Sequence, residues 1–199
     1  MKKNILMVGV IALLVVLLAL GTDIQSVDEY YLTHMEDITE DSEKVTLSIR
    51  CDTVFDNWDK LDKQLRSSKY VPSDGVILPE TTYVLRQGDT VFDVLNRACR
   101  YNKIQMEYQG ADASVYNSVY IKGIHYLYEF SCGELSGWVY RVNGTYAGKG
   151  CSTYRLEDGD RVEWLYTCDL GRDVGNYSMT ESDPPDTSEE KPARRGKDS

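Results

Sequence analysis

The sequence contains few of the residues on which catalytic sites depend. Histidine occurs twice among 199 residues, as His34 and His125, and neither the nucleophile-elbow pattern G-x-S-x-G nor the zinc pattern H-E-x-x-H is present. A pairing of His125 with Cys132 or Cys151 would be needed for a thiol nucleophile. A hydrogen-bonded strand histidine beside structural cysteines explains the same residues more simply. We therefore expect a protein that is not an enzyme, with a thiol-dependent enzyme as the least favoured alternative.

Signals for bound metal ions and phosphate groups are missing as well. The acidic stretch Glu157-Asp158-Gly159-Asp160 lacks the alternating oxygen ligands of a calcium loop, and a tight Asp-Gly turn accounts for it. Gly123, Gly133 and Gly137 do not form a phosphate-binding fingerprint. The sequence therefore assigns no catalytic residue, no metal ligand and no certain cofactor.

Positive charge is also in short supply. Lysine and arginine number 22 against 32 aspartates and glutamates, which gives a formal net charge of −10. An acidic protein surface repels nucleic acid and anionic lipid alike, so we expect neither as a binding partner. The basic residues between Lys191 and Lys197 form a short cluster in an otherwise polar tail.

One long apolar run is present, from Ile5 to Leu20, directly after Lys2 and Lys3. A positive start followed by an apolar segment predicts entry into the secretory pathway. The run is slightly short for a membrane-spanning helix and slightly long for the core of a signal peptide, and Ala19 and Gly21 fit a cleavage site. Two outcomes stay open: a single-pass anchor with the protein facing outward, or a secreted protein cleaved near Gly21.

Composition divides the chain into four segments. Residues 1–21 are the signal or anchor segment, and residues 22–44 are an acidic linker. Residues 45–175 have the apolar content of one folded domain. Residues 176–199 contain few apolar side chains, and we expect them to be disordered.

Two turn signals dominate the last third of that domain. In Gly137–Val142, alternation places Trp138 and Tyr140 on one face and Arg141 on the other, and Asn143-Gly144 then predicts a tight hairpin turn. A second turn is predicted at Glu157–Asp160. After it, one face carries the side chains of Val162, Trp164 and Tyr166, and the opposite face carries Arg161 and Glu163.

A helix is predicted after Gly88, with Asp89 or Thr90 as its N-cap. Its core-facing stripe has the spacing i, i+3, i+4, i+7 and i+8: Val91, Val94, Leu95, Ala98 and Cys99. Elsewhere the pattern predicts strands over 45–51, 81–86 and 104–108. It also predicts a short helix with Trp58, Leu61 and Leu65 on one face, followed by a loop over 70–80. Two further short strands are predicted within 114–130, with a break between them at Lys122-Gly123.

The motifs G-W-V-Y-R-V-N-G at Gly137–Gly144 and Y-R-L-E-D-G-D-R-V-E-W at Tyr154–Trp164 resemble the transcobalamin-like C-terminal domain family of bacterial surface domains. The resemblance covers roughly Val45 to Gly175. It implies an α+β, β-grasp-like fold, a mixed sheet packed on one main helix. It also implies a corrinoid, a cobalamin-like molecule, as the first ligand to consider.

Five cysteines occur, and disulfides are possible outside the cell. If the first and last strands lie side by side, as β-grasp topology places them, Cys51 and Cys168 share a face and an end of the sheet. This suggests the pairs Cys51–Cys168 and Cys132–Cys151, which leave Cys99 unpaired. The alternative is five reduced cysteines that act as small buried apolar residues.

The remaining candidates for a functional surface are tyrosines, of which there are fifteen. Tyr83, Tyr140 and Tyr166 fall on inward alternating positions and are predicted to be core. Four others lie near predicted turns or on a poorly defined strand, where they could bind a ligand: Tyr116, Tyr120, Tyr126 and Tyr146. For each of them, packing within a sheet is the competing explanation.

The sequence therefore favours a non-enzymatic binding module at the cell surface or in secreted form, with a corrinoid as the ligand that the resemblance implies. The alternative function is a protein-interaction or envelope-scaffold domain. An edge strand of the predicted sheet could pair with another surface protein or with a second copy, and an odd cysteine could cross-link one.

Overall fold

The structure, a computed structural model, describes residues 41–114 and 117–177. The predicted signal or anchor segment, nearly all of the acidic linker and the predicted disordered tail beyond Tyr177 lie outside the described residues. Within the described part of the chain, no helix is long and apolar enough to cross a membrane.

A four-stranded mixed sheet forms the centre of the domain. Its strands are β1 (Lys44–Arg50), β2 (Val76–Val84), β6 (Gly137–Val142) and β7 (Arg161–Thr167), in the order β2-β1-β7-β6. β1 and β7 pair in parallel, and the two outer pairs are antiparallel. The first and last strands of the domain are thus neighbours, as the β-grasp-like expectation requires.

The main helix, α2, spans Val91–Tyr101, and all five residues of its predicted stripe are buried. Thr90 is the N-cap: its hydroxyl accepts a hydrogen bond from the Asp93 backbone N–H at 3.3 Å, and its own backbone N–H donates to the Asp93 carboxylate at 2.9 Å. Asn102 follows the helix and donates to the Tyr83 hydroxyl of β2 at 3.0 Å. The α+β prediction, one main helix packed on a sheet, is confirmed.

The core lies between α2 and one face of the sheet. Alternation sends every second side chain of a strand to that face. The buried side chains contributed by the strands include most of those predicted to point inward: Val45, Leu47, Ile49, Tyr83, Val142, Val162, Trp164 and Tyr166. Tyr140, which was also predicted to be core, is half-buried, as is Trp138. Strand periodicity alone was therefore enough to identify the helix-facing side of the sheet.

A second, three-stranded sheet contains β3 (Met106–Gln109), β4 (Tyr120–Ile124) and β5 (Leu127–Tyr128). The predicted break at Lys122-Gly123 is wrong, because β4 runs through it. The chain instead turns at His125-Tyr126, where both residues have left-handed backbone conformations with φ of 52° and 66°. Glycine or asparagine usually occupies such positions, so the sequence carried no turn signal there.

The chain between β1 and β2 departs from prediction. The helix expected around Trp58, Leu61 and Leu65 is wrong. A short helix, α1 (Thr53–Asp56), and a 3₁₀ turn at Lys63–Leu65 form instead. The Asp62 N–H donates to the Ser131 carbonyl at 2.9 Å, so a tertiary contact replaces a helical bond. Leu61 and Leu65 are still buried, as their spacing indicated.

β2 begins five residues earlier than the predicted strand, within the segment expected to be a loop. Pro79 lies inside it, and proline normally argues against a strand because it lacks an N–H. β2 is an edge strand, and its pairing with β1 shifts register around Ile49, so Pro79 is accommodated.

Both predicted turns are present, although neither joins two long strands. Val142 and Thr145 exchange both backbone hydrogen bonds across Asn143-Gly144, at 2.9 Å each. The residues after Thr145 then leave the sheet, and β6 pairs with β7. At the second turn, the Asp160 N–H donates to the Glu157 carbonyl at 3.1 Å, and β7 follows directly.

We predict that Thr90→Ala lowers the free energy of unfolding by about 1 kcal/mol, because the helix then loses the side chain that accepts from its first turn. Urea unfolding followed by tryptophan fluorescence measures the change. Thr145→Ala, at an exposed position, is the matched control and should change stability much less. Equal losses in the two variants would contradict the capping role.

Candidate binding cleft

The face of the sheet opposite α2 is polar, since it displays the alternate residues of the same strands. Arg141 of β6 pairs across the sheet with Glu163 of β7, and Glu163 in turn pairs with Ser48 of β1. Arg50 lies next to Leu165 on the same face. The outward residues of three neighbouring strands therefore meet on one surface.

This surface forms the floor of a cleft of about 460 Å³, which we call the arginine cleft. Its walls come from β2 on one side and from the 3₁₀ turn Arg172–Val174 after β7 on the other. Its charged and hydroxyl-bearing lining residues are Ser48, Arg50, Asp52, Thr53, Glu80, Arg141, Arg161, Glu163 and Asp173. Three arginines thus face four carboxylates, and the cleft is nearly balanced in charge.

Glu163 is the electrostatic centre of the cleft and is only 4% exposed. Arg141 donates to both of its carboxylate oxygens, from Nε at 2.7 Å and from a terminal nitrogen at 2.9 Å. Arg161 approaches one of the same oxygens at 3.4 Å. The hydrogen bonds from Arg141 hold the pKa of Glu163 below its ordinary value, against the opposing effect of burial.

Two further ion pairs lie at the exposed rim. Arg161 donates from Nε to Glu80 at 2.5 Å, and Arg50 donates to both oxygens of Asp52 at 2.8 and 2.6 Å. The side chains of Arg50 and Arg161 are 41% and 52% exposed. A guanidinium has five N–H donors, so these arginines can contact an incoming ligand while the ion pairs are kept.

The second wall is fixed by side-chain contacts to the end of β7. The Asp173 carboxylate accepts from the Thr167 hydroxyl and, at 2.7 Å, from the Cys168 backbone N–H. The Tyr146 hydroxyl donates to the Val174 carbonyl at 2.7 Å. Tyr146 also hydrogen bonds to Arg141, and burial raises the pKa of its phenol. The wall is therefore tied to both β6 and β7.

The arginine cleft can hold a polar ligand that is close to neutral. Guanidinium donors and carboxylate acceptors alternate across it, and each sign of charge is already countered by the other. A strongly charged ligand would have to displace these ion pairs. A ligand with amide or hydroxyl groups could accept from the arginines and donate to the carboxylates at once.

No group of three or more histidine, cysteine, aspartate or glutamate side chains in the described part of the chain is arranged to hold a metal ion. The cleft carboxylates are instead each bonded to an arginine or to the protein backbone.

Of the four predicted tyrosines, the three that the structure describes are not brought together. Tyr116 lies outside the described residues. Tyr120 is on β4, and its hydroxyl donates to Glu129 at 2.6 Å. Tyr146 adjoins the arginine cleft through Arg141, whereas Tyr126 is at the β4–β5 turn. Tyr120, Tyr126 and Tyr146 therefore do not form one surface, and of these three Tyr146 is the one beside the cleft.

Tyr126 belongs to a small exposed aromatic group. Its ring meets the Tyr70 ring edge-on, with centroids 5.5 Å apart, and Tyr126 is 45% exposed.

His125, next to Tyr126, does not pair with a cysteine. Its Nε2 is 3.0 Å from the Lys69 carbonyl, and burial lowers the pKa of its imidazole. The thiols of Cys132 and Cys151 contact the carbonyls of Asn57 and Val119 instead. The Cys/His pair considered for a thiol nucleophile is therefore not formed among the described residues.

The two predicted disulfide pairs are not formed, and all five cysteines are buried free thiols. Cys51 follows Arg50, which aligns with Leu165, so Cys51 lies level with Tyr166 and Cys168 is two residues further along. That offset is roughly 6.6 Å along the strand, in addition to the spacing between strands. Cys132 interacts with Cys168, whereas Cys151 lies beside Val119.

Sequence reasoning missed the arginine cleft, although the signal was present. Strand alternation puts Arg141, Arg161 and Glu163 on the outward faces of their strands, but it assigns no site to them. A buried outward glutamate flanked by outward arginines becomes visible only once the strand order is known, because β6, β7 and β1 are far apart in the chain.

Comparisons with known proteins identify a family match and seventeen similar chains among solved structures, two of which are described below. The family model DUF4430, described as a domain of unknown function, matches residues 88–167, which include the motif-bearing stretch Ser136–Trp164. No curated protein matches the sequence. A crystal structure of haptocorrin in complex with Cbi is similar with a TM-score of 0.45 and 15% identity, over 67% of this chain and 27% of that chain.

The second similar structure is a "putative metal binding protein" from Ruminococcus gnavus ATCC 29149. Its TM-score is 0.37 at 12% identity, over 63% of this chain and 96% of that chain. The chain thus spans about a quarter of the haptocorrin chain and nearly all of the Ruminococcus protein.

We predict that Glu163 contributes to the acid sensitivity of the fold. Its pKa is lowered in the folded state, so its stabilising contribution is complete above its ordinary pKa of 4.5 and is lost as the pH falls below that value. The free energy of unfolding should therefore fall more steeply between about pH 5 and pH 3 in the unmodified protein than in Glu163→Gln.

Urea unfolding at a series of pH values measures both slopes. Glu157→Gln, at an exposed position, is the matched control and should follow the unmodified protein. Parallel curves for the unmodified protein and Glu163→Gln would contradict the proposed role of the Arg141–Glu163 pair.

Proposed function

We propose that this protein is a non-enzymatic binding module, displayed on or released from the outer side of the cell membrane, that holds a polar small molecule in the arginine cleft. The observation that carries the proposal is the cleft itself. It is a concave site of about 460 Å³ on the open sheet face, with guanidinium and carboxylate groups converging on it. Its volume lies within the usual range for ligand pockets.

The lining narrows the chemistry of the ligand. Glu163 and Arg141 satisfy each other at the floor, and the donors left for a ligand are the exposed guanidinium groups at the rim. Such groups recognise carbonyl and hydroxyl oxygens through charge-assisted hydrogen bonds. The adjacent carboxylates of Asp52 and Glu80 accept from amide N–H groups. A neutral ligand rich in primary amides meets both requirements.

A corrinoid is the first such ligand to test. Its ring carries peripheral amide side chains, and the motifs at Gly137–Gly144 and Tyr154–Trp164 resemble the transcobalamin-like C-terminal domain family. A corrinoid is larger than the cleft, so one edge of it would enter, with its amides at Arg50 and Arg161 and the rest of the ring exposed. A second protein or a second copy could then cover the other side.

A binding role is also supported by the low acidity of three of the five buried thiols. Burial raises the pKa of Cys51, Cys99 and Cys151 to about 12 in each case, which suppresses the thiolate that nucleophilic catalysis needs. Export is supported by the N-terminal sequence, Lys2 and Lys3 followed by the apolar run to Leu20.

The test is a calorimetric titration of the full-length chain, purified in a mild detergent, with cyanocobalamin and with cobinamide. We expect saturable heat with a dissociation constant in the micromolar range or below. Arg161→Gln should weaken binding by about ten- to a hundredfold, because a hydrogen bond to a charged group contributes about 1.5–3 kcal/mol. The substitution removes an exposed ion pair, which contributes little to folding.

Arg155→Gln is the matched control, an exposed arginine outside the cleft lining, and should bind like the unmodified protein. Equal affinities for Arg161→Gln and Arg155→Gln would mean that the ligand binds elsewhere. No heat with either corrinoid at about millimolar concentration would remove the corrinoid from the proposal.

In that case the protein-interaction domain becomes the working proposal. The observation in its favour is a group of exposed apolar side chains beside the β5–β6 connection. Phe130, Leu135 and Leu170 are 62%, 42% and 43% exposed. The Leu170 N–H donates to the Leu135 carbonyl at 2.9 Å, and Phe130 and Leu170 both have left-handed backbone conformations.

A further inference from the structure

Three of the five cysteines share one buried cluster at an end of the main sheet. Cys51, Cys132 and Cys168 are at most 5% exposed and pack with apolar residues from α1, the following turn and β5: Val54, Leu61, Leu65, Val71 and Leu127. Tyr166 is part of the same cluster. Cys99 lies on the buried face of α2, and Cys151 lies near the start of that helix. Cys99 and Cys151 therefore lie outside the cluster that contains the other three thiols.

Within this cluster, Cys132 is held by hydrogen bonds on both sides of its side chain. Its backbone N–H donates to the Ser136 hydroxyl at 3.0 Å, and its thiol donates to the Asn57 carbonyl at 3.4 Å. The Ser136 hydroxyl also donates to the Gly133 carbonyl at 2.8 Å, which closes the turn that follows Cys132. The position of the Cys132 sulfur is thus set by a well-bonded loop.

Cys168 is held just as closely at the end of β7. Its backbone N–H donates to Asp173 at 2.7 Å, and its thiol contacts the Thr53 hydroxyl at 3.7 Å. Thr53 donates in turn to the Tyr166 carbonyl at 2.6 Å. Both sulfurs are therefore fixed by neighbours within one compact group of α1, the Cys132 turn and the end of β7.

The two sulfurs lie against opposite ends of α1, since Cys132 bonds to Asn57 and Cys168 contacts Thr53, and the Asn57 side chain donates to the Thr53 carbonyl at 3.0 Å. The interaction between the two thiols lowers the pKa of Cys132 and raises that of Cys168. No comparable contact links Cys51, Cys99 or Cys151 to another cysteine in the described part of the chain.

We propose that Cys132 and Cys168 form a disulfide bond once the protein has left the cytoplasm. Formation breaks two S–H bonds and makes one S–S bond. The two electrons and two protons pass to the disulfide of a thiol–disulfide oxidoreductase, or to oxidised glutathione in vitro, which is reduced to two thiols. Cys51, Cys99 and Cys151 stay reduced as small buried apolar residues.

The pairing follows from where the sheet places each sulfur. Cys51 is level with Tyr166 and is offset from Cys168 along the strands. Cys151 is bonded to the Val119 carbonyl at 3.3 Å, in surroundings that contain none of the cluster residues. A disulfide needs Cα atoms within about 7 Å and side chains directed at each other. Cys132 and Cys168 lie in one cluster with their thiols against the same short helix, so they are the pair that this packing favours.

The bond would close the loop that carries β6, the long connection after it and β7. These strands contribute Arg141, Arg161 and Glu163 to the arginine cleft. Cross-linking a long loop restricts the unfolded chain and so stabilises the folded one. The disulfide would therefore hold the turn before β6 against the end of β7 outside the cell.

Non-reduced peptide mapping of the full-length chain tests the proposal. The chain is exported to a bacterial periplasm and alkylated with iodoacetamide in denaturant before digestion with trypsin. Cleavage after lysine and arginine leaves each cysteine on a different peptide. We expect residues 123–141 linked to residues 162–172, and carbamidomethylated Cys51, Cys99 and Cys151. Alkylated Cys132 and Cys168, or a linked peptide that contains residues 51–60 or 150–155, would overturn the pairing.

Thermal unfolding gives an independent measurement. Reductant should lower the midpoint of the unmodified protein on the order of 10 °C. In Cys132→Ala the midpoint should no longer depend on reductant. Cys51→Ala, which removes the third thiol of the same cluster, is the matched control and should keep the dependence. If Cys132→Ala fails to fold, the peptide map and the Cys51→Ala control still decide the question. Loss of the dependence in Cys51→Ala would point to Cys51 as a partner and contradict the proposal.

Discussion

The parallel pairing of β1 with β7 is the contact on which the rest of the domain depends. It joins the two ends of the folded segment, so every other element of the domain core lies in the chain between these two strands. The same register decides three local arrangements. It sets Ser48 opposite Glu163, it puts Arg50 beside Leu165, and it brings the residues after both strands into one buried cluster. Core, cleft and cysteine cluster are thus consequences of a single alignment.

Side chains that alternate along each strand are mainly apolar on one face of the sheet and mainly polar on the other. On the helix side, Val162, Trp164 and Tyr166 bury apolar surface against α2 and its neighbours. On the other side, Glu163 and Thr167 are equally buried, although they are polar. A buried carboxylate is costly unless it is paired and hydrogen-bonded. The two bonds from Arg141 meet that requirement, so the polar face is a specific structure and not merely a solvated surface.

Features that depend on residues close together in the sequence could be predicted, whereas features that depend on contacts between distant residues could not. The helix from Val91 to Tyr101 follows from local spacing and from the cap at Thr90, and both were identified. The inward positions of β1, β6 and β7 follow from strand alternation. The turn at His125-Tyr126 could not be found, because its left-handed residues are a histidine and a tyrosine, held there by the Gln105 carbonyl and side chain. The segment around Trp58 forms short local turns, and the Asp62 N–H donates to the distant Ser131 carbonyl in place of a helical partner.

The candidate site was harder to predict than the fold, because it depends almost entirely on residues that are far apart in the chain. Tyr146 was selected from its nearness to a predicted turn, and it does adjoin the cleft, but Tyr120 and Tyr126 belong to other surfaces. Arg50, Arg141 and Arg161 become neighbours through strand order, a property that no local pattern contains. Cys132 meets Cys168 for the same reason, through the packing of a turn against a strand end that is distant in the chain.

The pairing of Arg141 with Glu163 has a consequence for how this domain can diverge. The two side chains face each other across adjacent strands, and either one left alone would be a buried, uncompensated charge or a polar gap. Relatives that lose one are therefore expected to lose the other, with an apolar or neutral pair in their place. Such an exchange would preserve the sheet while it changes the floor of the cleft. The ligand preferences of related domains would then vary in discrete steps, one matched pair at a time.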